Sequence, residues 1–334
     1  MKTLCTFLLV VFHFSLSSAQ VMHVRDTLLM GSRFRITVVD VSEEQAEKNT
    51  NLAIAEMVRI EELISDWKPT SQISQVNQMA GKQAVVVDQE VLELTQRAIQ
   101  YSKITDGAFD ISFAAMERIW KFDGSMDVLP TEDEIQQAIR NVGYQNIQID
   151  TTHQTLFLTK EGMKIGFGSI GKGYAADRAR ILLKELGAIA GIVDASGDIS
   201  SFGSQIDGKP WRFGITNPFE SDDYADIISL TNGSVTTSGD YEKYIYIGDT
   251  RYAHIINPKT GWPSTGLTGV TIVGPSAEMA NAFSTSIMVL GAKKGKELLQ
   301  QFPDYAGLFI TDQGKIIKTK RYKRVLKTLR KTTY

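Results

Sequence analysis

The sequence predicts an α+β fold in which mixed, largely antiparallel sheets pack against helices, and three observations predict it. Strand-like and helix-like segments interleave without the regular strand–helix–strand rhythm of a doubly wound sheet. From Ile192 to Val273 the chain is mostly short strands and turns, with alternation in Trp211-Arg-Phe-Gly-Ile and in Tyr244-Ile-Tyr-Ile. The run Met163-Lys-Ile-Gly-Phe follows Thr155-Leu-Phe-Leu-Thr159 after only three residues. It therefore reads as the return arm of an antiparallel hairpin, not as the opening strand of a parallel unit.

Residues 1–19 have the pattern of a secretory signal peptide. A basic start, Met1-Lys2, precedes an apolar stretch from Leu4 to Leu16 and then Ser17-Ser-Ala19 ahead of Gln20. The stretch is too brief to cross a bilayer. Cys5, the only cysteine, lies inside it and too early for a lipid-attachment site, so disulfides and thiolate catalysis are excluded from the mature chain. Residues 20–334 are then expected to form one large globular domain or two closely packed lobes. A net charge of −2 argues against nucleic acid as the main partner. The exception is a basic tail from Lys315 to Lys331. It reads as a solvated strand or helix face, or as a contact with an anionic membrane surface or an acidic protein.

Residues 22–40 read as a strand pair broken at Met30-Gly31. Ser42 caps the first helix, with Gln45 at the capping-box position, and Ala53, Met57, Ile60, Ile64 and Trp67 mark its buried face. Asp88 caps a second helix that stops near Gly107, and Thr131 with Glu134 caps a short third one. The hairpin at 155–167 follows, then a helix from about Gly173 to Leu186. After the strand-rich region come two helical stretches around 278–301 and a terminal strand pair.

The chemistry concentrates at Gly166-Phe-Gly-Ser-Ile-Gly-Lys172-Gly-Tyr-Ala-Ala-Asp177. Glycines admit close approach of backbone N–H groups to an anion, the following helix directs its positive end there, and Lys172 adds a full charge. Taken literally this is also GxGxxG, with Asp194 at the end of an apolar run downstream, the fingerprint of a dinucleotide site. The hairpin in front of it and the lysine after the third glycine argue against a nicotinamide cofactor. His254 stands at a strand end before the Asn257-Pro turn, a context that admits either a hydrogen-bonded structural residue or a base. Asn281 and Thr285, four apart, share a helix face and offer oxygen donors to a hard cation such as Mg²⁺; the same pair also suits a small-residue packing face.

Together these segments resemble the ApbE family of FAD:protein FMN transferases. The resemblance runs through Leu29-Met-Gly-Ser32, Asp66-Trp67, Ser71 to Asn77, Asp106-Gly-Ala-Phe-Asp110, Gly166 to Asp177, Asp194 to Asp198, Thr237 to Tyr241, His254 to Gly261 and Ala280 to Thr285. It implies a T-fold-related architecture and an exported, periplasmic or extracytoplasmic Mg²⁺-dependent enzyme. Such an enzyme cleaves FAD, passes FMN to a threonine or serine of a target flavoprotein and releases AMP. It also implies that Met30, Trp67, Asp110, Lys172 and Ile255 hold FAD. Ser169, Asn281 and Thr285 fall where the metal binds, and His254 is the base. Family members commonly carry aspartate where this chain has Gly166, Asn257 and Asn281. The alternatives are hydrolysis of FAD to FMN and AMP, or a periplasmic protein that binds flavin without transferring it.

Overall fold

A hairpin opens the fold as expected: β1 (Val21–Leu29) and β2 (Ser32–Asp40) pair antiparallel from Val21–Asp40 to Leu29–Ser32. Met30 and Gly31 form its two-residue turn with φ of 49° and 69°, the left-handed pair that matches the twist of the flanking strands. The computed structural model describes residues 20–220, 223–240, 244–248 and 250–331, so the expected signal peptide lies outside it.

In α1 (Glu43–Ile64) the Ser42 hydroxyl accepts from the Gln45 N–H at 3.2 Å. The Gln45 side chain turns to Asn49 instead of back to Ser42, so only half of the capping box forms. Ala53, Met57, Ile60 and Ile64 are buried as the spacing predicts. Trp67 is not: the chain leaves the helix at Ser65 (ψ 128°), and Trp67 is 75% exposed beyond its end. A short α2 (Gln72–Gln78), capped by Ser71, was not anticipated. After β3 (Val85–Val86) come α3 (Gln89–Ile104), a 3-10 turn at Ile111–Ala115, and α4 (Glu132–Ile139) with both halves of the Thr131–Glu134 capping box.

The predicted hairpin of 155–159 with 163–167 does not form. β5 (Thr155–Leu158) pairs instead with the preceding β4 (Ile147–Asp150) and with β3. Residues 163–167 run as irregular chain, and their backbone needs are met elsewhere. The Asn77 amide donates to the Ile165 carbonyl at 2.9 Å and accepts from the Ile165 N–H at 2.8 Å, while the Gly166 N–H reaches the Ile111 carbonyl at 2.9 Å. Then α5 (Gly171–Glu185) begins, two residues earlier than expected.

The remaining strands are β6 (Ala190–Ala195), β7 (Asp198–Phe202), β8 (Trp211–Thr216), β9 (Tyr224–Leu230), β10 (Gly233–Gly239), β11 (Tyr244–Ile247), β12 (Thr250–Ala253) and β13 (Leu267–Gly274). In α6 (Ala277–Gln300) Gly291 adopts φ 76°, ψ 170°, which divides it into the two helical stretches the sequence predicts. The strand pair β14 (Ala306–Thr311) and β15 (Ile316–Lys318) is present but does not finish the chain. An amphipathic α7 (Tyr322–Lys331) follows and carries much of the basic tail.

Eight strands form one sheet in the order β1-β2-β6-β7-β10-β13-β14-β15, with every neighbouring pair antiparallel. With the seven helices of the described residues, the fold is α+β. Alternation places opposite faces of the β13–β14 region in different cores. Val270, Ile272 and Phe309 pack with α6, whereas Val273, Leu308 and Ile310 pack with Val325, Leu326 and Leu329 of α7. Two devices lock α5 to α6. Asp177 of α5 accepts from Ser200 of β7 at 2.7 Å, and from Ser276 and the Glu278 N–H at the start of α6 at 2.8 and 3.1 Å. Gly173 lets the helices touch, since a Cβ there would lie 2.6 Å from the Ala277 carbonyl oxygen.

Candidate functional site

Lys172 occupies the first turn of α5, and two cavities meet there. The larger, about 670 Å³, is bounded by Met30 at the β1–β2 turn, Asp66 and Trp67 after α1, Phe167, and Gly168, Gly171 and Lys172. The smaller, about 340 Å³, gathers Asp110, Ser169, Asp198, Ser238, His254, Ile255, Asn281 and Thr285 around the same Gly168 and Lys172. All nine residues predicted for the site line one cavity or the other, and Lys172 lines both.

Part of the glycine turn's backbone is spent internally. The Gly171 N–H closes onto the Phe167 carbonyl, no side chain caps α5, and Gly168, Ser169 and Lys172 border the polar cavity. A fifteen-residue helix thus directs its positive end and a lysine at one space, a setting for a phosphate. Gly166 sits in tight quarters: a Cβ there would lie 2.9 Å from Asp66 Oδ2 and 3.1 Å from the Ala114 methyl. Partial burial holds the Asp66 carboxyl above its ordinary pKa. The dinucleotide alternative fails on topology. No strand leads directly into Gly166, β6 has only antiparallel neighbours, and Asp194 spends a carboxylate oxygen on the Gly197 N–H at 2.8 Å.

Trp67 stands at the rim with the Arg118 guanidinium 5.3 Å from its ring centre. Its exposed indole is available to stack on a flat ligand. Asp110 is committed internally. Its carboxylate accepts from the Ser112 N–H and hydroxyl at 2.8 and 2.6 Å and from the Tyr144 N–H at 2.8 Å, and burial raises its pKa against those bonds. His254 emerges from β12 with its ring edge-on to Phe122, centroids 6.5 Å apart. Behind it the Asn257 turn closes through the Gly261 N–H to the Asn257 carbonyl at 2.8 Å. Across the cavity, Asn281 and Thr285 lie one turn apart on α6. The Ser238 hydroxyl bonds both Ser284 at 2.7 Å and Thr285 at 3.2 Å.

Sequence reasoning left Asp198 without a role, although it lies at the centre of this group. The residue is 3% exposed, its carboxyl lies 3.8 Å from Lys172 Nζ, and Asn281 lines the same cavity. Burial pushes its pKa up to about 7 against the pull of Lys172 and Asn281. The available signal was Asp194-Ala-Ser-Gly-Asp198, where Ser196 and Gly197 take φ of 60° and 92° and turn β6 sharply into β7. Among the described residues no cluster of three or more His, Cys, Asp and Glu could hold a metal. The donors here are neutral oxygens from Ser169, Asn281 and Thr285 beside one carboxylate, a set for a hard cation and not for zinc.

The profile of the ApbE family matches residues 30–309. An FAD:protein FMN transferase of Klebsiella pneumoniae (strain 342) is 30% identical over 293 residues, which span 87% of this chain and 89% of the relative. The solved ApbE protein of Thermotoga maritima superposes with a TM-score of 0.80 at 30% identity, over 93% of this chain and all of that one. The apo flavinyl transferase ApbE of Pseudomonas stutzeri gives 0.80 at 27% identity, over 94% and 98%.

Proposed function

The chain belongs to the ApbE family, and on that premise we propose that it moves FMN from FAD to a threonine or serine hydroxyl of a flavoprotein, releasing AMP with Mg²⁺ bound. The observation that carries this reading is the junction at Lys172. A large, mainly apolar cavity rimmed by Met30 and Trp67 suits a flavin ring, and it opens at Lys172 onto a polar cavity suited to a pyrophosphate. Residues from eight separate segments meet there.

In the reaction, the acceptor hydroxyl oxygen forms a bond to the FMN phosphorus as the bridging P–O bond to the AMP phosphate breaks. The hydroxyl proton passes to the His254 imidazole, and AMP leaves with the bonding electrons. Lys172 and the first-turn amides of α5 face charge that grows on phosphate oxygens and are set in place before the reaction begins. Ser169, Asn281 and Thr285 would hold Mg²⁺, with Asp198 supplying negative charge behind Asn281. When bound, that ion neutralises phosphate oxygens in the transition state.

The signal-like residues 1–19 support an extracytoplasmic enzyme, periplasmic or otherwise exported, acting on exported or membrane-tethered flavoproteins. Incubation with FAD, Mg²⁺ and a candidate acceptor tests the reading. AMP should appear, and flavin fluorescence should follow the acceptor through a denaturing gel. AMP with free FMN alone would instead make the protein an FAD pyrophosphatase, and bound FAD without AMP a passive flavin carrier.

A further inference from the structure

Far from the flavin cavities, a space of about 560 Å³ opens between the C-terminal half of α5, the β9–β10 turn, the flanks of α6, and α7. Arg180 and Lys184 of α5, Arg324 of α7 and the carboxylate of Asp304 line its wall, and Asp177 pairs with Arg180. Ile181, Val325 and Leu329 supply apolar surface. Arg180 is held in place by Asp177 at 3.4 Å and by the Pro275 carbonyl at 3.2 Å. Arg324 is exposed and has no ion-pair partner among the described residues. None of these residues lines the flavin cavities. Twelve residues of helix separate Lys172 from Lys184, about 18 Å along the axis of α5.

The surroundings extend the same chemistry. Between Gln313 and Lys331 the chain has nine lysines and arginines and no acidic residue, although its net charge is −2. Tyr322, Val325, Leu326 and Leu329 are turned inward, so α7 offers its outer side as charge and has no apolar face left to insert into a bilayer. A broad field of this kind favours an extended anionic surface over an isolated ion, because each basic residue near such a surface adds its own attraction.

We propose that the Arg180–Lys184–Arg324 cavity binds a phosphate-bearing anion, and that its occupant is the headgroup of an acidic phospholipid, with the basic side of α7 lying against the bilayer. Three cations match the phosphate, and the isoleucine, valine and leucine match the glycerol and first methylenes next to it. The contact is electrostatic and peripheral, and salt reverses it.

The test uses the whole mature protein in co-sedimentation with phosphatidylcholine vesicles, with and without phosphatidylglycerol, alongside a thermal-shift titration with inorganic phosphate. Lys184→Glu combined with Arg324→Glu changes two exposed side chains, and Lys48→Glu on α1 serves as the control. Wild type should bind the phosphatidylglycerol vesicles only. The double variant should lose on the order of 10–100-fold in partitioning, and Lys48→Glu less than about twofold. FMN transfer to a soluble acceptor should be unchanged in the double variant. Vesicle binding that the double variant leaves intact would overturn the proposal. Binding of phosphate alone, or of an acidic polypeptide alone, with the same sensitivity to the variant would overturn the lipid assignment and give the cavity a soluble phosphate or an acidic protein as its ligand.

Discussion

Asn281 and the buried carboxyl of Asp198 line one cavity, and that carboxyl lies 3.8 Å from Lys172 Nζ. The pair brings α6 beside the start of β7 and sets a carboxyl next to the neutral amide.

Asn281→Asp should reveal that arrangement. Two carboxylates would then face each other in a dry setting, and without a divalent cation the variant should lose on the order of 1–3 kcal/mol of stability. Added Mg²⁺ should restore it at a lower half-saturating concentration than wild type needs for AMP release. Thermal unfolding across a Mg²⁺ titration gives the stability, and AMP release across the same titration gives the half-saturation. A variant as stable as wild type without metal, with an unmoved half-saturation, would mean that residue 281 faces neither Asp198 nor the ion.

Lys172→Ala should weaken FAD binding on the order of 10–100-fold and slow AMP release, since one charge-assisted contact to the pyrophosphate is removed from both cavities' shared wall. Quenching of FAD fluorescence gives the affinity. Unchanged binding would remove the phosphate cradle from the reading.

His254→Ala should keep FAD affinity near wild type yet depress transfer by a factor on the order of 10²–10⁴. Single-turnover transfer to an acceptor separates the two. Normal transfer would make His254 a structural partner of Phe122.

Asp177→Ala deletes three hydrogen bonds that hold α5, β7 and α6 together, and should cost about 2–5 kcal/mol in urea unfolding. Because Asn281 and Thr285 ride on α6, the metal requirement should rise as well, although Asp177 lines neither flavin cavity.

Asp240 gives a pH signature. Burial pushes its carboxyl up to about 6 despite Arg251 at 3.1 Å, so the folded state favours the protonated acid. Its stabilising contribution is full below the ordinary carboxylate pKa near 4 and is lost as pH climbs through 6, at most about 3 kcal/mol. Asp240→Asn, neutral throughout, should flatten the decline of melting temperature between pH 4 and 6.

Local chemistry was legible and long-range pairing was not. The Met30-Gly31 turn and the Thr131–Glu134 box are decided within a few residues, and both appear as the sequence predicts. The 155–167 hairpin failed because strand pairing is a competition. The Ile147-Gln-Ile-Asp150 run lies as close on the other side of β5, and Asn77 already satisfies the backbone of Ile165. Met163 and Ile165 are fully buried, so their alternation reflects docking onto the core and not membership of a sheet. Trp67 keeps the helical spacing of Ile60 and Ile64 after the helix has ended, which no periodicity reveals. The family resemblance assigned the nine candidate residues, and the fold gathers them around two cavities. Asp198 was overlooked because its meaning depends on Asn281, eighty-three positions away, and only the fold brings them together.

The length of α5 has a kinetic consequence. Its first turn belongs to the flavin cavities and its later turns to the cationic cavity beside α7, so one rigid rod serves two compartments that share no wall. An occupant of one cannot displace an occupant of the other by touching it. An anion at the far end that is not coupled to the first turn of α5 therefore leaves the apparent affinity for FAD alone, whereas an anion entering beside Lys172 competes with FAD.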